Sequence, residues 1–352
     1  MVFILITWVP MLILAWMQGV AFGDKVRIPL LMDFAAYTRF LISMPLLILA
    51  EAAVAPRLSG AASSLIQRGL VRDGDRQAWQ TITNRTLQLR DSNWAEFAIL
   101  ILAYLGTLSA VMILPSNAST WHLLGGAVPS PSLAGWWWVL IGLPLFQFLI
   151  YRWFWRLLIW YSFLWRTSRL DLNLTPTHFD AAGGLGSVGG AQEGFGLLAL
   201  ALMAGPAGVF AREIFLNRIP LGEYKFIIAG LVVLMLCVFL GPLFMFSPHL
   251  VAARRAGLRE YGLLATVYCR AFDAKWMGGQ RPGDEALLGT SDIQSLADLG
   301  NSYAFVSRMR TVPFGIRTAA LLALASLAPM LPLVTSVVPL RDVFDLFLKI
   351  LF

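Results

Sequence analysis

His178 and Asp180 stand two residues apart at the head of the stretch "HFDAAGGLGSVGGAQEGFG", residues 178–196. Alternate side chains of an extended segment share a face, so an imidazole and a carboxylate at this spacing can hold a cation or relay a proton. Two ligands do not complete a metal site, and Asp180 can instead cap the turn at Ala181. The glycines behind them fit G-x-G-x-x-G at Gly184, Gly186 and Gly189. A dinucleotide loop of that pattern needs a strand feeding a tight turn, with the next helix pointing its N-terminus at the pyrophosphate. Here Thr175-Pro176-Thr177 is turn chemistry and an apolar segment follows, so no βαβ unit supports the motif. Two readings stay open. The loop is a hinge whose glycines permit positive φ and close helix approach, or Gly183, Gly184, Gly186, Gly189 and Gly190 offer backbone N–H groups to an anion at a helix start.

Ionisable side chains inside apolar segments are the other candidates, because an unpaired charge in hydrocarbon costs on the order of 3 kcal/mol. Arg39 and Glu51 share one apolar segment but lie 12 residues apart. That separation is about 18 Å along a helix, so they do not pair with each other. Arg39 is near enough to one end to snorkel. Glu51 lies about a turn inside the other end, where Arg152 and Arg156 are plausible partners. Their pairing reads either as a structural ion pair or as part of a pathway. His249, in "FSPHL", closes a later apolar segment on the same side as His178, either as a second imidazole near it or as an interfacial side chain bonded to backbone.

The elements that must position these groups follow from composition. Among 352 residues, 58% are hydrophobic and 13% charged, against about 25% charged in soluble domains. The chain therefore reads as an all-α polytopic membrane protein. Only Cys237 and Cys269 are present, which excludes a disulfide framework and a cysteine metal site. With three histidines in all, no cofactor or metal is expected. The net charge of +7 could mark a nucleic-acid partner, but its distribution fits membrane topology better.

Seven segments are apolar enough to cross a hydrocarbon core of about 30 Å, near residues 2–18, 36–55, 96–114, 135–152, 195–215, 226–247 and 315–338. The first lacks the basic start of a secretory signal and is read as a true span. Of the 27 basic residues, 18 fall in the second, fourth and sixth connections. The first, third and fifth connections and the C-terminal tail share seven. By the positive-inside rule this places the N-terminus in the cytoplasm and the C-terminus outside, in a multi-pass inner-membrane protein of bacterial type. Trp136, Trp137 and Trp138 at one end of the fourth span, with Tyr151, Trp153 and Trp155 at the other, read as interfacial belts more readily than as a ligand cage.

The long basic connections carry amphipathic helices. Leu258, Tyr261, Ala265, Tyr268, Phe272 and Trp276 recur at spacings of three and four, and "GGQRPGDE" breaks the pattern. A second helix starts at Ser291 with an S-x-x-Q capping box to Gln294 and ends before Pro313. Trp79, Ile82, Thr86 and Leu89 give a similar face in the second connection. The expected organisation is one membrane domain with a cytoplasmic helical layer from 56–95, 153–194 and 248–314. These helices either pack together or lie flat on the anionic leaflet, with packing favoured by their Tyr and Trp residues.

Proline falls near the middle of six spans, and kinked spans are where transporters bind solutes. The leading functional expectation is a transporter or channel for an ion or small solute, with Glu51, Arg39, His178, Asp180 and His249 as pathway or gate candidates. Two alternatives stand beside it: a non-catalytic subunit or scaffold docking a partner, or a second copy of the chain, through its cytoplasmic helices; and a membrane-embedded enzyme acting on a lipid or phosphate head group. Apart from the lipid bilayer, no partner is identifiable.

Overall fold

The computed structural model describes residues 2–113, 119–124, 130–278 and 291–336. Apolar periodicity and proline placement account for most of its elements. The 16 residues of α1 (Val2–Met17) are almost wholly apolar. After a connection, α2 (Phe34–Tyr37) continues through a π-helical segment (Thr38–Ser43) into α3 (Met44–Gln67), making one rod. The amphipathic α4 (Arg76–Arg90) and the apolar α5 (Asn93–Ile113) follow. A short antiparallel pair, β1 (Leu123–Leu124) and β2 (Ser130–Pro131), precedes a second rod built from α6 (Leu133–Trp137), a π segment (Trp138–Gly142) and α7 (Leu143–Thr167). The glycine-rich stretch forms α8 (Gly186–Ala191), which leads into α9 (Gly196–Asn217). Then come α10 (Lys225–Leu240), α11 (Ser247–Trp276), α12 (Ser291–Ser307) and α13 (Ile316–Leu327), the last running on as a 3-10 turn over Ala328–Ser336.

Among the described residues the fold is all-α apart from that short strand pair, and six helical stretches are long and apolar enough to cross a membrane: Phe34–Gln67, Asn93–Met112, Leu133–Thr167, Gly186–Asn217, Leu221–Trp276 and Ile316–Ser336. By length and composition it is a multi-pass membrane protein. The helix Phe3–Met17 is apolar but shorter than these six. The α2–α3 rod outruns the apolar segment that predicts it, reaching Gln67 rather than residue 55, whereas the α6–α7 rod reaches Thr167, close to where the pattern "YRWFWRLLIWYSFLWRTSRL" runs out near Leu170. Backbone hydrogen bonding does not stop where hydropathy does, so these helices continue as amphipathic turns. Leu114, residues 279–285 of the expected helix break and residues 337–338 of the expected last span lie outside the described residues.

Both π segments have one cause. Pro45 and Pro144 follow them at once, each in the local sequence Leu-Ile-small-apolar-Pro-Leu. Proline lacks an N–H and its ring crowds the carbonyl four residues back. The ladder relaxes by one residue: Met44 N–H bonds to Arg39 O, and Leu143 N–H to Trp138 O, each five back. The two widened segments face each other. A Cβ on Gly142 would lie 3.3 Å from the Phe40 ring, and Phe40 meets Phe146 edge-on with centroids 6.4 Å apart. Phe40, Met44 and Leu47 are fully buried there, in the middle of the main core. The same rod is drawn closer still to α9, where a Cβ on Gly208 would collide with Thr38 Oγ1 at the start of the π segment and with Phe34 O of α2.

The connections converge in two groups. At one end, Leu70 O accepts from Asn173 N at 2.8 Å, Arg72 pairs with Asp171 at 2.6 Å, Ser64 Oγ meets Ser187 Oγ at 2.7 Å, and Arg310 N bonds to Ala181 O at 2.7 Å. These contacts join the second, fourth and sixth connections. At the other end, Gln18 accepts from Leu133 N, Ile28 bridges Thr120, and Trp121 Nε1 donates to Asp33 at 2.9 Å, joining the first and third. The amphipathic helices pack rather than stand alone. α4 sets Trp79 edge-on to Phe163 of α7, while α12 docks on α11 through Asp292, which accepts from Lys275 Nζ at 2.8 Å and Trp276 Nε1 at 3.1 Å. The expected capping partner Gln294 instead donates to Asp298.

Candidate functional site

A cavity of about 690 Å³ opens at the end of the bundle where the basic connections gather, between α3, α4 and α7. Its walls follow from three local facts. Arg152 and Arg156 are four residues apart and so occupy one face of α7. Glu51 projects from α3 at the same level, and Glu96 from the first turn of α5. The amphipathic face of α4 closes the side with Trp79, Thr83 and Leu87.

The charges form an alternating row. Arg156 Nη2 donates to Glu51 Oε1 at 2.6 Å, Arg152 Nη1 lies 3.6 Å from Glu51 Oε2, and Arg152 Nη2 lies 3.3 Å from Glu96 Oε1. Glu51 remains 43% exposed, whereas Arg156 is 24% exposed, so the carboxylate faces open space. A second, small cavity of about 80 Å³ lies beside this row, lined by Phe3, Leu47, Ile48 and Leu149. Both cavities share Glu51, Arg152, Trp153 and Arg156, so the row forms the partition between them. Past the small cavity the core is packed with Met44 and Phe40.

The aromatic lining was not expected from the sequence. Trp153 is buried, with Nε1 donating to Leu47 O at 2.8 Å, and it lines the cavity together with Trp79, Trp160 and Phe195. The belt reading suits Trp136, which is half exposed, but not Trp138 or Trp153, which turn into the bundle. Trp155 likewise donates to Leu89 O of α4. With its amide oriented to satisfy both neighbours, the buried Gln192 accepts from Trp160 Nε1 and donates to Phe239 O, each at 3.2 Å. Thr83 Oγ1 has no hydrogen-bond partner among the described residues.

His178 and Asp180 come together in a different place. His178 Nδ1 lies 2.9 Å from Asp180 Oδ1. The carboxylate turns into its own glycine loop: Oδ1 accepts from Ala182 N at 2.8 Å and Gly184 N at 3.1 Å, and Oδ2 accepts from Gly186 N at 2.9 Å. Gly183 and Gly184 have φ of +63° and +101°, which lets the chain wrap around the carboxylate. Arg310 Nη2 donates to Asp180 O at 2.6 Å, and Arg68 lies 3.8 Å from Asp180 Oδ2. Burial pushes the Asp180 carboxyl up, but the three backbone donors and His178 outweigh it and hold it below its ordinary range. The N–H groups of Gly184 and Gly186 are thus engaged by the protein's own anion. Gly189 serves packing, since a Cβ there would strike Pro313 O, while Gly190 has open space around it.

His249 is engaged elsewhere, its Nε2 lying 2.7 Å from Ser168 O. Arg39 sits over the Phe146 ring, 5.6 Å from its centroid, and makes no hydrogen bond or ion pair among the described residues. It lies within the π segment rather than reaching out of the bundle. Near the opposite end, the sequence reading passed over Asp33 and His122. Asp33 is buried and caps α2 through Ala35 N and Ala36 N. Burial pushes the His122 imidazole down to about 4, keeping it neutral.

The fold and site define a class only: a multi-pass helical membrane protein with a charged, aromatic-lined cavity. No family model, curated protein or solved structure matches the chain.

Proposed function

We propose that the protein is a transporter for an ion or small solute and that the Glu51 cavity is its cytoplasmic vestibule. The observation that carries this reading is the cavity itself: space reaches Glu51 within the second span and resumes beyond the ion-pair row. A scaffold has no use for a charged hollow at that depth. The Glu51–Arg156 pair is the inner gate, and the packed contact of Phe40 in the first π segment with Phe146 of α7 closes the path above it. Paired π segments beside proline are points where a helix can bend, as an alternating-access carrier requires.

The orientation completes this reading. Seven crossings, with α1 as the first, put the N-terminus in the cytoplasm, the C-terminus outside and the basic connections on the cytoplasmic face of an inner membrane. Two supports stand behind it: the even-numbered connections gather at one end of the bundle, and Phe3 at the start of α1 lies level with Glu51 at that same end. Although α1 rises only about 24 Å, a segment shorter than the hydrocarbon is accommodated by local thinning.

Uptake of labelled potassium, chloride, phosphate and L-phenylalanine into proteoliposomes tests the proposal. Wild type should carry at least one of them, and Glu51→Gln should slow that uptake by about tenfold or more, since the gate loses its charge pairing. Uptake equal to empty liposomes for every solute would defeat the transport reading.

A further inference from the structure

The cavity that serves as vestibule in the transport reading also constrains what enters it. Its charged lining consists of three acidic and three basic side chains: Glu51, Asp91 and Glu96 against Arg90, Arg152 and Arg156. Each basic group is matched within the row or by its neighbour, Arg90 by Asp91 at 2.7 Å. Behind the charges the wall is apolar and aromatic, with Trp79, Trp160, Phe163 and Phe195.

From this balance we infer that the cavity takes an amphiphilic zwitterion: a molecule carrying one anionic and one ammonium group on an apolar body. A singly charged ligand must draw Glu51 or Arg156 out of its pair and leave the partner unmatched in a half-buried site, which is costly. A zwitterion brings both signs, so its anionic group takes Arg156 or Arg152 while its ammonium takes Glu51 or Glu96, and no charge is stranded. The aromatic wall then accepts the apolar body, and Trp faces also attract an ammonium. The chemistry is shared by a phospholipid head group on its acyl chain and by a free amino acid with a large apolar side chain.

This inference rests on the vestibule of the transport reading but is tested by binding alone. Equilibrium dialysis of the full-length protein in amphipol compares radiolabelled dodecylphosphocholine, dodecyl methyl phosphate and dodecyltrimethylammonium, which differ only in head group, and L-phenylalanine as the free zwitterion. The zwitterions, or one of them, should bind about tenfold tighter than either singly charged probe. Glu51→Gln should shift preference toward dodecyl methyl phosphate, and Arg156→Gln toward dodecyltrimethylammonium; Glu96→Gln, at the exposed end of the row, provides the same shift as Glu51→Gln if that variant does not fold. Tighter dodecylphosphocholine identifies a lipid source and tighter L-phenylalanine a free solute, and either supports the site. Binding of both zwitterions no tighter than the singly charged probes, or a singly charged probe binding best to wild type, overturns it. Zwitterion binding without flux would defeat the transport reading and leave this site standing, and chloride or potassium flux without zwitterion binding would do the reverse.

Discussion

Asp180 shows how one carboxylate can organise a loop. Three backbone N–H groups converge on it, and hydrogen bonds to a charged acceptor contribute about 1.5–3 kcal/mol each before desolvation is counted. Asp180→Asn keeps the shape but loses the charge and half the acceptors, so it should cost about 2 kcal/mol of stability. The folded carboxyl lies below its ordinary value of 3.8, so this contribution is fully present above that pH and is lost as acid protonates the folded chain. Melting curves should therefore show wild type and Asp180→Asn separated near neutrality and converging as the pH falls through the lowered range of the folded carboxyl; a constant gap would contradict the assignment. The glycines divide in the same way. Gly189→Ala should destabilise by about 1–3 kcal/mol, since Pro313 O occupies the space for a Cβ. Gly190→Ala, with nothing within 4 Å of its Cβ, should be neutral or stabilise by up to about 1 kcal/mol. Thermal denaturation of the two variants checks the contrast. The sequence showed the glycines and the acid but not their relation, because wrapping of residues 182–186 around Asp180 depends on positive φ values that a letter pattern does not encode.

At the scale of elements, hydropathy located the apolar cores of the helices well and their ends poorly. The end of α3 at Gln67 lies beyond its apolar run, while α7 follows its aromatic pattern past the span to Thr167, and these extensions form two walls of the cavity. The third wall, α4, is legible as amphipathic from Trp79 and Ile82, yet its partner α7 is a long-range choice that no local pattern states. Glu51 was legible as an anomaly, and Arg152 and Arg156 as its partners by end and spacing; Glu96 and the aromatic lining were not, since they reach the site only through packing. The α11–α12 hairpin depends on Asp292, which joins Lys275 and Trp276 through its carboxylate and Tyr268 through its backbone carbonyl. Asp292→Ala should loosen α12 without disturbing the membrane bundle. Hydrogen exchange should rise by about tenfold or more in Ser291–Ser307 and stay unchanged in α3 and α7, in keeping with local opening. Uniform acceleration through both regions would show that the hairpin is not a separable unit.

For the whole molecule, charge distribution and packing give the same grouping of the connections, although they are independent: one is a count of Lys and Arg, the other a set of hydrogen bonds. The Arg-rich end is also where the cavity opens, and the alternating row lines it. The central claim is that the Glu51–Arg156 pair gates a path through the bundle. Charge reversal tests it most directly, by proteoliposome uptake of whichever solute the wild type carries. Glu51→Arg and Arg156→Glu should each abolish uptake by placing like charges together, and the double variant should recover a substantial part of it, because the pair is restored with its signs exchanged. Uptake by either single variant at the wild-type rate would contradict the account.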